Sequence, residues 1–123
     1  MGSVLSKESC RMFENMLARP FWLVDNGAVD MEALLTVDLS RGCVCDPTTG
    51  HELGKTIKPT WLDDNAGVRC EIHYATGALG MLWLYPVTQA ARQKGWIARF
   101  SINVLGLKAR GLACYPRKPK VNA

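Results

Sequence analysis

The feature that most constrains this chain is a period of two. Val29, Met31, Ala33, Leu35, Val37 and Leu39 alternate with Asp30, Glu32, Leu34, Thr36, Asp38 and Ser40. Successive side chains of an extended backbone leave opposite faces, so six consecutive hits specify a strand with one face in a core. The Met-Glu-Ala-Leu-Leu stretch inside it has competing helical propensity, and a strand of this length needs a bend or a bulge. The alternation returns in Val68, Cys70, Ile72 and Tyr74 against Arg69, Glu71, His73 and Ala75. It returns again in Trp96, Ala98, Phe100, Ile102 and Val104 against Ile97, Arg99, Ser101 and Asn103.

The segments between these runs read as more strand and tight turns. Residues 21–25 are short and apolar, and Asn26-Gly27 favours a type I′ hairpin turn. Arg41-Gly42 and Asp46-Pro47-Thr48-Thr49-Gly50 are turns around a short Cys43-Val44-Cys45 strand. Residues 56–62 are weakly extended, with Pro59 marking an edge. Residues 63–67 form a loop, and 79–85, apolar on both faces, a central strand. Residues 87–94 form a polar loop or one helical turn, and 107–115 a last strand with Lys108 and Arg110 on one face.

Only the start of the chain reads as helix. Ser6 is a candidate N-cap for a helix to about Ala18, Met12, Phe13, Met16 and Leu17 give it one apolar stripe, and Pro20 stops it. The expected fold is therefore α+β in a single domain, 1–123. A helix over about 6–19 packs on an antiparallel meander over about 21–115, either a curled sheet or a small barrel, and a basic Pro/Lys tail occupies 116–123. A chain of 123 residues supports one core, and 48% hydrophobic with 21% charged residues is globular rather than disordered composition.

Charge is divided unevenly. Residues 1–64 carry six Lys and Arg against ten Asp and Glu, a net of −4, whereas residues 65–123 carry nine against one, a net of +8. The basic half offers a surface for a polyanion or an acidic partner. Its candidate contact residues are Arg69, Arg92, Lys94, Arg99, Lys108, Arg110, Arg117, Lys118 and Lys120. If the final strands are adjacent, Arg99, Lys108 and Arg110 share one face, with Trp83, Tyr85, Trp96 and Tyr115 nearby in sequence. Exposed aromatic rings on a basic sheet are a stacking surface for single-stranded nucleic acid. Trp96 and Phe100 share the apolar face of their strand and read as core.

The motifs of common catalytic and metal sites do not hold together. Cys43-x-Cys45 has the wrong spacing for a zinc knuckle, and Cys70 and His73, three apart on a strand, leave opposite faces. His51 is a spare ligand without a partner set. Gly54-Lys55-Thr56 resembles the end of a phosphate loop, but Thr49 stands where the first glycine belongs and Pro59 blocks the helix that should follow. No local context flags a nucleophilic cysteine. The expectation is a protein without enzymatic activity, metal or cofactor.

Met1-Gly2-Ser3-Val4-Leu5-Ser6 fits an N-myristoylation pattern, which would make the chain a membrane-associated effector. Otherwise no apolar run reaches the roughly 20 residues of a membrane span. The start lacks a secretory pattern, and five cysteines in no framework spacing read as reduced thiols, so the expected location is cytoplasmic. Residues alone favour a small inhibitor or adaptor docking on a protein or nucleoprotein through its charge-polarised surface. The alternative is a single-stranded nucleic-acid-binding β module. The edge at 56–62 offers a route to a homodimer.

Overall fold

In a computed structural model of the chain, residues 6–25, 32–104 and 107–115 are described. The helix α1 runs over Lys7–Leu17, and the Ser6 hydroxyl at its N-cap accepts the Ser9 amide at 3.1 Å. Nine strands follow: β1 Phe21–Asp25, β2 Ala33–Asp38, β3 Cys43–Cys45, β4 Glu52–Thr56, β5 Thr60–Trp61, β6 Val68–Tyr74, β7 Leu79–Pro86, β8 Trp96–Val104 and β9 Leu107–Cys114. A one-turn helix, α2, spans Gln89–Gln93 between β7 and β8, with the Thr88 side chain capping it.

All the pairings are antiparallel, and the neighbour order is β4-β3-β2-β1-β9-β8-β7-β6-β5. The two ends of this ribbon meet, because β4 also pairs with β6 through Gly54–Tyr74, Lys55–His73 and Thr56–Ile72. The sheet is therefore a closed eight-stranded barrel. β5 prolongs β4 along β6, with the Ile57 amide bonding the Glu71 carbonyl between them.

Closure follows from the burial pattern. β6 reads buried–exposed at every step, Val68 to Tyr74, as its alternating sequence requires. Phe21, Leu23, Val37, Val44, Ile72, Leu82, Leu84, Phe100 and Ile102 all point inward, with 2% exposure or less. Eight strands leave a lumen just wide enough for such side chains to fill. Helix α1 covers one mouth, burying Phe13 and Leu17 in the same core. Phe13 packs on Trp61 at 5.8 Å between ring centroids, and the Trp61 indole N–H donates to Glu14 at 3.0 Å. The Tyr115 hydroxyl donates to the Met16 carbonyl at 2.6 Å, and the Arg19 guanidinium lies 3.6 Å over the same ring. These contacts fasten the helix to the end of β9.

Four expectations change or are refined. Of the two expected arrangements, curled sheet or small barrel, the barrel is the one formed, and with α1 plugging its end the architecture is predominantly β rather than clearly α+β. The segment 56–62 is divided at Pro59 between β4 and β5, and only the two-residue β5 leaves a side unpaired among the described residues. A register shift between Trp96 and Ala98 puts the strand out of phase there, so Ile97 is buried at 3% while Trp96 is half-buried. The long strand expected over 29–40 is seen as β2 with a turn beginning at Leu39. Residues 26–31, including the Asn26-Gly27 turn, lie outside the described residues, as do Gly2 and the tail cations Arg117, Lys118 and Lys120.

Candidate nucleic-acid interface

The interior faces of β6 to β9 take the apolar members of each alternation, so the other members are forced outward. Cross-strand register then arranges these outward residues in rows. Tyr85 faces Arg99, which faces Leu112. Trp83 faces Ser101, which faces Arg110, and on its other side Arg69. Met81 faces Asn103, which faces Lys108. Each row begins on β7 with a large polarisable side chain and reaches a cation on β8 or β9.

Arg69, Arg99, Lys108 and Arg110 are exposed, while Met81, Trp83 and Tyr85 are half-buried, with part of each side chain facing outward. The Arg99 guanidinium lies 5.6 Å from the centroid of the Tyr85 ring, close enough for a cation–π contact. Two adjoining concavities mark this face. One, of about 480 Å³, is lined by Tyr85, Arg99, Ser101 and Arg110. The other, of about 380 Å³, is lined by Trp83, Ser101, Lys108 and Arg110. Gly67 permits the close approach at the start of β6: a Cβ there would collide with the Leu84 carbonyl oxygen and lie 3.1 Å from the Tyr85 ring.

Acids border the strip on both sides, Asp25 on β1 opposite Gly111 and Glu71 on β6. Glu71 sits opposite Met81, and its carboxylate is 3.8 Å from His73 Nε2 on the same strand face. A cation expected on this surface is turned elsewhere: Arg92, on α2, donates to the Met12 sulfur of α1 at 3.4 Å. Lys94 is exposed at the C-cap of α2, beside the helix-covered mouth. Among the expected aromatics, Trp83 and Tyr85 share the strip, whereas Tyr115 is engaged by Met16 and Arg19. The sequence signal for the two useful rings was their i, i+2 spacing on β7, obscured because every residue of that strand is bulky and apolar except Gly80.

The sulfur and imidazole groups take other roles. Cys70 is buried at 1% and its thiol donates to the Ile57 carbonyl at 2.8 Å, while His73 faces outward. Burial pushes the Cys70 thiol up to about 11. On the opposite wall Cys43 and Cys45 share one face with their sulfurs 3.9 Å apart. Burial, and then the neighbouring Cys45, raises the Cys43 thiol above its usual range. Among the described residues there is no group of three or more His, Cys, Asp or Glu that could hold a metal ion. The Gly54-Lys55-Thr56 motif lies within β4, an extended segment. No helix among the described residues is long and apolar enough to cross a membrane. Neither a family model, a curated protein nor a solved structure matches the chain, so its functional reading rests on its own geometry.

Proposed function

We propose that this protein is a small β-barrel binding module that takes single-stranded nucleic acid on the outer face of β6 to β9. The observation that carries this reading is the alignment of Trp83 and Tyr85 with Arg99, Arg110 and Lys108 in consecutive cross-strand rows. Cations attract a phosphate backbone, and flat rings offer every base a stacking partner without selecting its sequence. Fluorescence anisotropy with labelled single-stranded and duplex oligonucleotides across a salt series tests it. Single strands should bind with micromolar affinity or better near physiological salt, weakening log-linearly as salt rises. Absence of binding at low salt would remove the reading.

A second reading, a protein-directed inhibitor or adaptor, is favoured by a different surface. Leu79 is 68% exposed and Leu53 37%, and both lie toward the mouth opposite α1, where Lys55, His73 and Leu79 are register partners in one row. Exposed apolar side chains beside a cation offer an anchor for a partner protein. Affinity capture with the wild type and Leu79→Ser tests it: a partner retained by both proteins would not be docking there.

A further inference from the structure

The same face carries a finer pattern, whose reading rests on its being a nucleic-acid surface. Trp83 and Tyr85 are two residues apart on β7, and Lys108 and Arg110 two apart on β9. Each pair therefore repeats at about 6.6 Å, twice the rise of an extended residue. The columns stand two strands apart, about 9.6 Å at ordinary strand spacing. Arg99 on β8 lies between them and completes the Tyr85 row, which has Leu112 rather than a cation on β9.

A polymer bound here meets one ring and one cation at each repeat. In a stacked strand of duplex DNA successive nucleotides rise about 3.4 Å, half the pitch of this face. Two bases seated on Trp83 and Tyr85 cannot also stack on each other. Bases paired in a helix cannot reach either ring, because their faces are covered by neighbours. The pitch thus selects a strand pulled out of its stack. Glu71, on the β6 side next to Met81, disfavours a backbone running over β6 beyond Arg69. The cations of β8 and β9 lie on the other side.

We infer that the face is a short single-strand site with a set polarity across the sheet. Bases of two consecutive unstacked nucleotides lie on Trp83 and Tyr85, and their phosphates lie toward Arg99, Arg110 and Lys108. Met81, opposite Asn103 and in the Lys108 row, offers a platform for a third base. Ribose and deoxyribose strands share this chemistry, so both are expected to bind.

The test uses fluorescein-labelled oligouridylate and oligothymidylate of two to ten nucleotides, and a duplex of the same length, in anisotropy titrations over a salt series. Trp83→Ala and Tyr85→Ala should each weaken single-strand binding about tenfold without changing the salt slope. Trp83→Phe should recover most of the loss. Arg110→Gln and Lys108→Gln should each lower the salt slope by about one. Circular dichroism melts of every variant verify that the barrel is intact; Trp83→Leu and Tyr85→Leu, which keep apolar bulk without a flat ring, carry the test if an alanine variant unfolds. Alanine or leucine variants of Trp83 and Tyr85 that bind like the wild type would overturn the two-base footprint and leave a purely electrostatic nucleic-acid surface. A duplex bound as tightly as the single strand would also overturn it. A wild type that binds no oligonucleotide at about 50 mM salt would sink both the footprint and the functional reading beneath it.

Discussion

The two arcs of the barrel wall are alike inside and different outside. Strands β1 to β4 send Phe21, Leu23, Val37 and Val44 into the lumen, and β6 to β9 send Ile72, Leu82, Leu84 and Phe100. Either set alone is half of a core. On the exterior, the first arc presents Thr36, Cys45, Glu52 and Lys55 together with carboxylates held in turns. The second presents rings and cations in register. Because the meander lays sequence-adjacent strands side by side, the charge division along the chain becomes a charge division around the barrel. Closure uses every second residue and leaves the intervening residues free to differ, so the stability of the fold and the character of the surface are encoded in separate halves of the same strands.

The sharpest way to break this comparison is to cut the shared interior. Leu84→Ala, at a fully buried position on β7, should cost about 2–5 kcal/mol in denaturant unfolding. Tryptophan fluorescence and circular dichroism should report one coincident transition. Two separate transitions would show that the arcs are independent bodies rather than one barrel.

A smaller effect distinguishes the first arc. The Asp38 carboxylate, 9% exposed, accepts the Ser40 hydroxyl at 2.7 Å and the Arg41 amide at 3.0 Å in the β2–β3 turn. Burial alone raises its pKa, but those hydrogen bonds and the Arg41 charge outweigh it and hold the carboxyl below its usual value. The folded state therefore prefers the ionised form. Its stabilising contribution is complete above the ordinary carboxylate value near 3.8 and is lost as pH falls through the lower folded one. Asp38→Ala should cost about 2 kcal/mol at neutral pH. The gap from wild type should narrow below about pH 4. A gap independent of pH would assign the loss to packing.

The smallest effects concern the exterior alone. Lys55→Gln on β4 should leave oligonucleotide affinity unchanged where Arg110→Gln lowers it, although both remove one charge. Equal losses would mean that net charge, not the arrangement of β6 to β9, governs binding. Leu79→Ser should change stability by less than about 0.5 kcal/mol, since the side chain is mostly in solvent. A larger loss in thermal or denaturant unfolding would show that Leu79 packs in solution.

Most of the strands were legible because their inward residues are apolar at period two: β6 is the clearest example. The strand that closes the barrel was not. In β4 the inward position is Gly54, where a Cβ would meet the His73 carbonyl at 3.0 Å and the Ile72 and Tyr74 side chains at 3.2 Å. Glu-Leu-Gly-Lys-Thr thus shows no apolar alternation, and its core contribution is made by the neighbours that occupy the glycine's space. The phase slip at Ile97 was hidden for the opposite reason: Trp96, Ile97 and Ala98 are all apolar, so no polar residue marks the bulge. The surface strip was partly legible. Arg99, Lys108 and Arg110 follow from their strands, but pairing Trp83 with Arg110 requires the register of three strands, which a linear pattern does not contain.

The seam between β1 and β9 joins Trp22 to Cys114 and Leu23 to Ala113, positions some ninety residues apart. A ribosome making this chain releases β1 to β4 long before their last neighbour exists. Until β9 emerges, the nascent sheet exposes the unsatisfied backbone of Phe21–Asp25, an apolar segment able to pair with other nascent chains. The barrel can therefore complete itself only after β9 has emerged, and loop-closure entropy opposes that long-range pairing. The open edge of the unfinished barrel is thus the place where pairing with other chains competes with folding.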